Sequence, residues 1–161
     1  MRGFTAGVCT VGILTAGCSG RAAGDTAVVT TVVDGDTIDV SIGGRDERVR
    51  LLGIDTPEVH VAEGAKPDCF GPEASAFTAA LLPAGTAVRL ERDVVGRDHY
   101  GRLLAYVYVV DGGVLVNEEL VRRGMARPLH IEPNGTFAAR FVAAARRAEA
   151  EGLGLWTACA G

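Results

Sequence analysis

The sequence predicts one α+β domain built on a small β-barrel, and three observations carry that expectation. Five short segments rich in β-branched residues read as strands, and three amphipathic segments read as helices. The strands come mostly first and consecutively, with helices added later. At 161 residues and 48% hydrophobic composition, the chain is long enough for one well-buried core and too short for two.

Ala27 to Val33 is β-branched and strand-like, Gly35 marks a turn, and Thr37 to Ile42 sets Ile38, Val40 and Ile42 on one side. Gly43-Gly44 reads as a hairpin turn into a third strand, Arg48 to Ile54. Pro57 to Phe70 is too polar and irregular for either periodic element and is expected to be a loop. Pro72 at a first helical position opens a helix over Glu73 to Leu82, with Ala74, Phe77 and Leu81 on one face and Pro83 as its stop. Thr86 to Arg92 and Arg102 to Val110 are the last strands, joined by the polar loop around Gly96 to Gly101. Asn117 is expected to cap a short helix through Arg123. Thr136 is expected to cap another, whose Phe137, Phe141, Ala144, Ala145 and Ala148 form one stripe ending at Gly152.

The first 24 residues differ in kind from the rest, with 1–17 as the signal peptide. Arg2 is followed by the uncharged apolar run Gly3 to Gly17, shorter than the roughly 20 residues of a spanning helix, which reads as an export signal. Leu14-Thr15-Ala16-Gly17-Cys18 resembles the bacterial lipoprotein signal, in which the cysteine becomes the lipidated first residue of the mature chain. Small residues before Cys18 and an uninterrupted apolar run favour that reading over an ordinary secretory signal. Residues 18–26 then form a Gly-, Ala- and Ser-rich tether, and 27–161 the folded body. The expected location is the outer face of a cell membrane, held by a lipid anchor at Cys18, or the medium. Cys9 leaves with the signal, so Cys69 and Cys159 remain as an even pair in an exported chain. They read as a disulfide, the alternative being two unrelated buried thiols.

Sixteen Lys and Arg against twenty Asp and Glu give a net charge of -4, which argues against holding nucleic acid through bulk positive charge. Any nucleic-acid role must rest on a local site. Asp36 shares strand parity with Ile38, Val40 and Ile42, at the end of a buried face where a carboxylate needs a partner. Asp55 poses the same problem in parity with Val49 and Leu51. Together they suit a hard cation, or else each caps a turn, and periodicity alone favours the caps. Asp34-Gly35-Asp36 does not open an EF-hand, because its sixth and twelfth positions are Asp39 and Arg45. P-loop, zinc-protease and nucleophile-elbow patterns are absent, and His60, His99 and His130 are isolated.

Three segments taken together, Val33-Asp34-Gly35-Asp36-Thr37, Arg50 through Glu58, and Gly71-Pro72-Glu73-Ala74-Ser75-Ala76-Phe77, resemble the staphylococcal nuclease (thermonuclease) family. Asp98-His99-Tyr100-Gly101-Arg102 through Tyr106, and Val116-Asn117-Glu118 through Gly124, follow in the same order at near-family spacing, so the likeness spans Ala27 to Trp156. The resemblance implies a five-stranded OB-fold barrel with three helices and one calcium ion at the barrel's edge. It implies that Asp36 and Asp55 are metal carboxylates and that Thr56 lends a backbone carbonyl. Glu58 matches the carboxylate that activates or orients the attacking water. Arg50 and Arg102 match the pair gripping the scissile phosphate, and Tyr100 matches a tyrosine lining the nucleotide pocket. The implied activity is calcium-dependent hydrolysis of phosphodiester bonds in DNA and RNA by a monomer, leaving 3′-phosphate ends.

Two departures from the family pattern stand out. Val59 to Phe70 contains Lys66 alone where the family's loop is lysine-rich, and Arg127, His130 and Glu132 stand where the family places tyrosines near the nucleotide. The competing reading is a non-catalytic OB-fold module that binds nucleic acid or a protein partner, but all five charged site positions keep the expected residue types. A structural envelope lipoprotein would leave Asp36, Asp55 and Glu58 without a purpose.

Overall fold

A computed structural model describes residues 24–59 and 66–160. The export signal, Cys18 and His60 lie outside the described residues. Strand β1 (Asp25–Asp34) turns at Gly35-Asp36 into β2 (Thr37–Ile42), and the Gly43-Gly44 hairpin, both glycines at positive φ, leads to β3 (Arg45–Leu51). β4 (Ile54–Asp55) is followed by α1 (Gly71–Leu81), β5 (Ala87–Glu91), β6 (Leu103–Val109), α2 (Val116–Arg122) and β7 (Arg127–Pro128). The chain ends in α3 (Ala138–Ala150) and the four-residue α4 (Leu155–Ala158).

β1, β2, β3, β6 and β5 close into a barrel in that order, with β3 and β6 parallel and every other pair antiparallel. With the helices added outside, this is an OB-fold of the α+β class. The barrel interior is filled by Val29, Ile38, Val40, Val49, Leu51, Val88, Leu90 and Val107, all nearly or fully buried. A second layer, Tyr106, Leu120, Phe141, Ala144, Ala145 and Ala148, joins the barrel to α2 and α3. Phe137 and Phe141 meet the Tyr106 ring edge-on, at centroid distances of 4.6 and 6.1 Å.

Four expectations change. Asp25 and Thr26, read as tether, already pair with Leu90 and Arg89 in the barrel. The expected strand Arg48 to Ile54 is two strands, because Gly53 takes φ 77° and turns the chain. A Cβ at Gly53 would also lie 2.8 Å from the Phe141 ring, so α3 packs directly on this turn. Asn117 does not cap α2. It is buried inside it, its Oδ1 accepting from Val107 N at 2.9 Å and its Nδ2 donating to Leu52 O at 2.8 Å. Thr136 does not cap α3, whose N-cap is Phe137. Its backbone N and Oγ1 both donate to Asp93, each at 3.0 Å.

Candidate active site

The β1–β2 turn, the β3–β4 junction and the start of β6 bring the sequence-derived residues to one edge of the barrel. Asp36 is the buried centre, its side chain 6% exposed. Its Oδ2 accepts from Thr56 N at 3.0 Å and Thr56 Oγ1 at 3.1 Å, and its Oδ1 accepts from Thr37 Oγ1 at 3.1 Å. The close approach depends on Gly35, where a Cβ would stand 2.7 Å from Thr56 Oγ1. Thr78 Oγ1 donates to Gly35 O at 2.7 Å, so α1 braces the same turn.

Arg50, at the end of β3, ties the cluster together. Nη1 donates to Leu51 O and Ile54 O, each at 2.8 Å, closing the turn around Gly53. Nη2 meets Asp55 Oδ1 at 3.0 Å and Asp36 Oδ2 at 3.1 Å, so one guanidinium bridges both carboxylates. Asp55 itself is on β4 and its side chain is 54% exposed. The parity argument that buried it beside Leu51 ran through the turn at Gly53 and does not apply. β4 is held by its pairing with β7, Asp55 opposite Arg127.

Glu58 follows two residues after Thr56. It is exposed over much of its surface, but its carboxyl is partly desolvated and shares a hydrogen bond with Asp34. Burial, that bond, and the charges of Asp34, Asp36 and Asp55 push its pKa up to about 7. Half-exposed Asp55 is also raised, by partial desolvation first, with Asp36 and Asp68 adding to it and Arg50 opposing. The edge therefore concentrates negative charge on hard oxygen donors. Among the described residues no three His, Cys, Asp or Glu side chains form a ready-made metal cage. Asp36 and Asp55 bring carboxylate oxygens to this edge, the donor type that a hard divalent ion prefers.

Arg102 immediately precedes β6. Asp98 grips it twice, accepting from its backbone N at 2.9 Å and its Nε at 2.7 Å. Burial alone would raise Asp98, but these bonds and the Arg102 charge hold it below the usual carboxylate range. The sequence alone assigns Asp98 no role; the spacing Asp98 to Gly101 to Arg102, an Asp opening a tight turn, is the signal that marks it. Arg50 and Arg102 line one cavity of about 470 Å³, walled by Leu52, Val95, Leu104, Leu129 and Ile131. His99 is in that wall. Tyr100 stands beside it, 74% exposed, its ring tilted 43° against the His99 ring at a centroid distance of 3.7 Å, with the Arg102 guanidinium 5.4 Å from its own ring centroid.

Cys69 and Cys159 are joined as a disulfide with Cα atoms 5.9 Å apart, next to Asp55, Thr56 and Glu58.

A family profile described as staphylococcal nuclease homologue matches residues 48–158. The chain is 39% identical to the thermonuclease of Staphylococcus intermedius over 133 residues, 83% of this chain and 77% of that protein. It is 38% identical to the thermonuclease of Staphylococcus hyicus over 80% of this chain and 74% of that one. Endonuclease YncB of Bacillus subtilis (strain 168) is 38% identical over 78% of this chain and 58% of its own length.

Proposed function

The chain belongs to the staphylococcal nuclease family and is a nuclease, and from that premise we propose that it is an exported, calcium-dependent phosphodiesterase of DNA and RNA whose site is Asp36, Arg50, Asp55, Thr56, Glu58 and Arg102. The observation that carries the site assignment is the bridge made by Arg50 between Asp36 and Asp55, on the rim of the cavity that also receives Arg102.

Asp36 and Asp55, with the Thr56 carbonyl, would hold the cation. When bound, calcium draws charge from a phosphoryl oxygen. The remaining chemistry belongs to side chains. Glu58, at the same edge, accepts the proton of the attacking water. Arg102 offers its guanidinium to the phosphate oxygens, and Arg50, whose Nη groups are engaged by Leu51, Ile54, Asp55 and Asp36, sets its positive charge on the same cavity as charge builds in the transition state. Asp98 fixes Arg102 through Nε, so the end of its guanidinium is aimed by a bond on its other side. The aliphatic walls of the cavity take the nucleoside, with His99 in the wall and Tyr100 set against His99 outside it. Water attack at phosphorus with departure of the 5′-oxygen, the outcome that likeness to the thermonuclease family implies, leaves 3′-phosphate ends.

Export is supported by the apolar run before Cys18 and by a cysteine pair positioned to cross-link. Lipidation of Cys18 would tether a monomeric enzyme to the membrane's outer face. The function is tested by release of acid-soluble fragments from DNA and RNA with calcium, with magnesium, and with a chelator. Calcium-specific release with 3′-phosphate ends is expected, and chelator-resistant cleavage would contradict it. Anchoring is tested by fractionating cells expressing wild type and Cys18→Ser. Wild type is expected with the membrane and the variant away from it, whereas complete release of the wild type would replace anchoring with simple secretion.

A further inference from the structure

Glu58 lies beyond β4 in a stretch without regular structure, so something outside a strand or helix must hold it to within the tolerance that proton transfer needs. Asp68 does this from ten residues downstream. Its backbone N donates to Glu58 O at 2.9 Å, and its Oδ2 accepts from Glu58 N at 3.3 Å, so both backbone polar groups of Glu58 are engaged by one residue. Asp68 is anchored in turn. Its carbonyl accepts from Gly71 N at 3.0 Å at the start of α1, and a Cβ on Gly71 would come within 2.7 Å of Glu58 O. The first turn of α1 thus packs on the same peptide. The adjacent Cys69 is bonded to Cys159, immediately past α4.

We propose that Asp68 is a positioning residue for Glu58, and that the Cys69–Cys159 disulfide keeps Asp68 in register with it. The proposal rests on the reading of Glu58 as the carboxylate that serves the attacking water. It assigns the disulfide a role in turnover as well as in stability, because the cross-link begins one residue from the group that clamps Glu58. Asp68 also acts on Asp55 through its charge. Asp68→Asn separates the two effects: its side-chain oxygen still accepts from Glu58 N, but the charge is gone.

The experiment compares the full-length wild type, Asp68→Asn, Asp68→Ala, the double variant Cys69→Ser/Cys159→Ser, and Glu58→Gln. kcat and KM on DNA are read at saturating calcium, together with the Tm of each protein. Asp68→Ala and the double serine variant are expected to lower kcat about tenfold, with KM within about twofold of wild type, since a displaced catalytic group costs turnover rather than binding. Asp68→Asn is expected to stay within about threefold of the wild-type kcat. An unchanged kcat in Asp68→Ala overturns the proposal. So does Asp68→Asn falling as far as Asp68→Ala, or losses that only follow the unfolded fraction given by Tm. Glu58→Gln distinguishes the two failures. If it abolishes cleavage while Asp68→Ala keeps the wild-type rate, positioning alone is wrong; if it cleaves at the wild-type rate, the role of Glu58 is wrong and the proposal falls with it.

Discussion

The fork of Arg50 is filled on the protein side by Leu51 O, Ile54 O, Asp55 and Asp36, with only 15% of the side chain exposed. Arg102 makes its bonds to one neighbour, Asp98, and is twice as exposed at 30%. The same substitution should therefore fail differently at the two sites. A lysine keeps the charge but presents a point donor that cannot reproduce a planar fork. Arg50→Lys leaves buried acceptors unpaired, so it should lower stability by about 1–3 kcal/mol and turnover by about 10²-fold or more. Arg102→Lys should lower turnover comparably with a stability loss under about 1 kcal/mol, because exposed pairs contribute little to folding. Urea unfolding beside kcat checks this, and equal stability losses at the two positions would contradict the distinction.

At the scale of elements, Asp93 joins the β5–β6 connection to the start of α3. It accepts from Thr136 N and Oγ1, from Tyr106 Oη at 2.9 Å and from Val94 N at 3.0 Å. Burial acts to raise its pKa, but these donors outweigh burial and hold it below the ordinary carboxylate value. A carboxylate depressed in the folded state adds stability that is complete above its unfolded pKa and lost as pH falls through the folded one. Asp93→Asn should therefore cost stability at neutral pH, and the gap to wild type should narrow below about pH 4. Denaturant titrations across pH measure it; a gap that widens in acid would contradict the sign. Such tertiary ties mark where sequence reading ran short. The β1–β2 hairpin and the stripe of α3 were legible because their residues repeat with the period of their element. Asn117 and Thr136 looked like caps because an Asn or Thr before an apolar run has the same local pattern whether it bonds the next turn or a distant strand. The burial expected of Asp55 fails because alternation cannot register the positive φ at Gly53. Asp98 and Asp68 were missed as supports because their partners are revealed by the folded loops.

For the whole molecule, most of the positive charge is internally answered. Arg48, Arg97, Arg122, Arg123 and Arg140 each pair with a carboxylate, and the full chain carries a net charge of -4. Few cations are left to displace counterions from a nucleic acid, so log affinity for DNA should fall with log salt at a slope corresponding to about 2–4 phosphate contacts. A slope implying many more would reveal a cationic surface this fold does not present among its described residues. On the proposed function, substrate recognition falls on the local edge where β2, β3, β4 and β6 meet, and chemistry on Glu58. The most direct test of that claim is the rate of acid-soluble fragment release from DNA by purified protein with saturating calcium, wild type against Glu58→Gln. The substitution keeps the side chain's shape and removes its proton acceptor, so turnover should drop by about 10²–10⁴ with the calcium requirement little changed. Cleavage by Glu58→Gln at the wild-type rate would contradict the account.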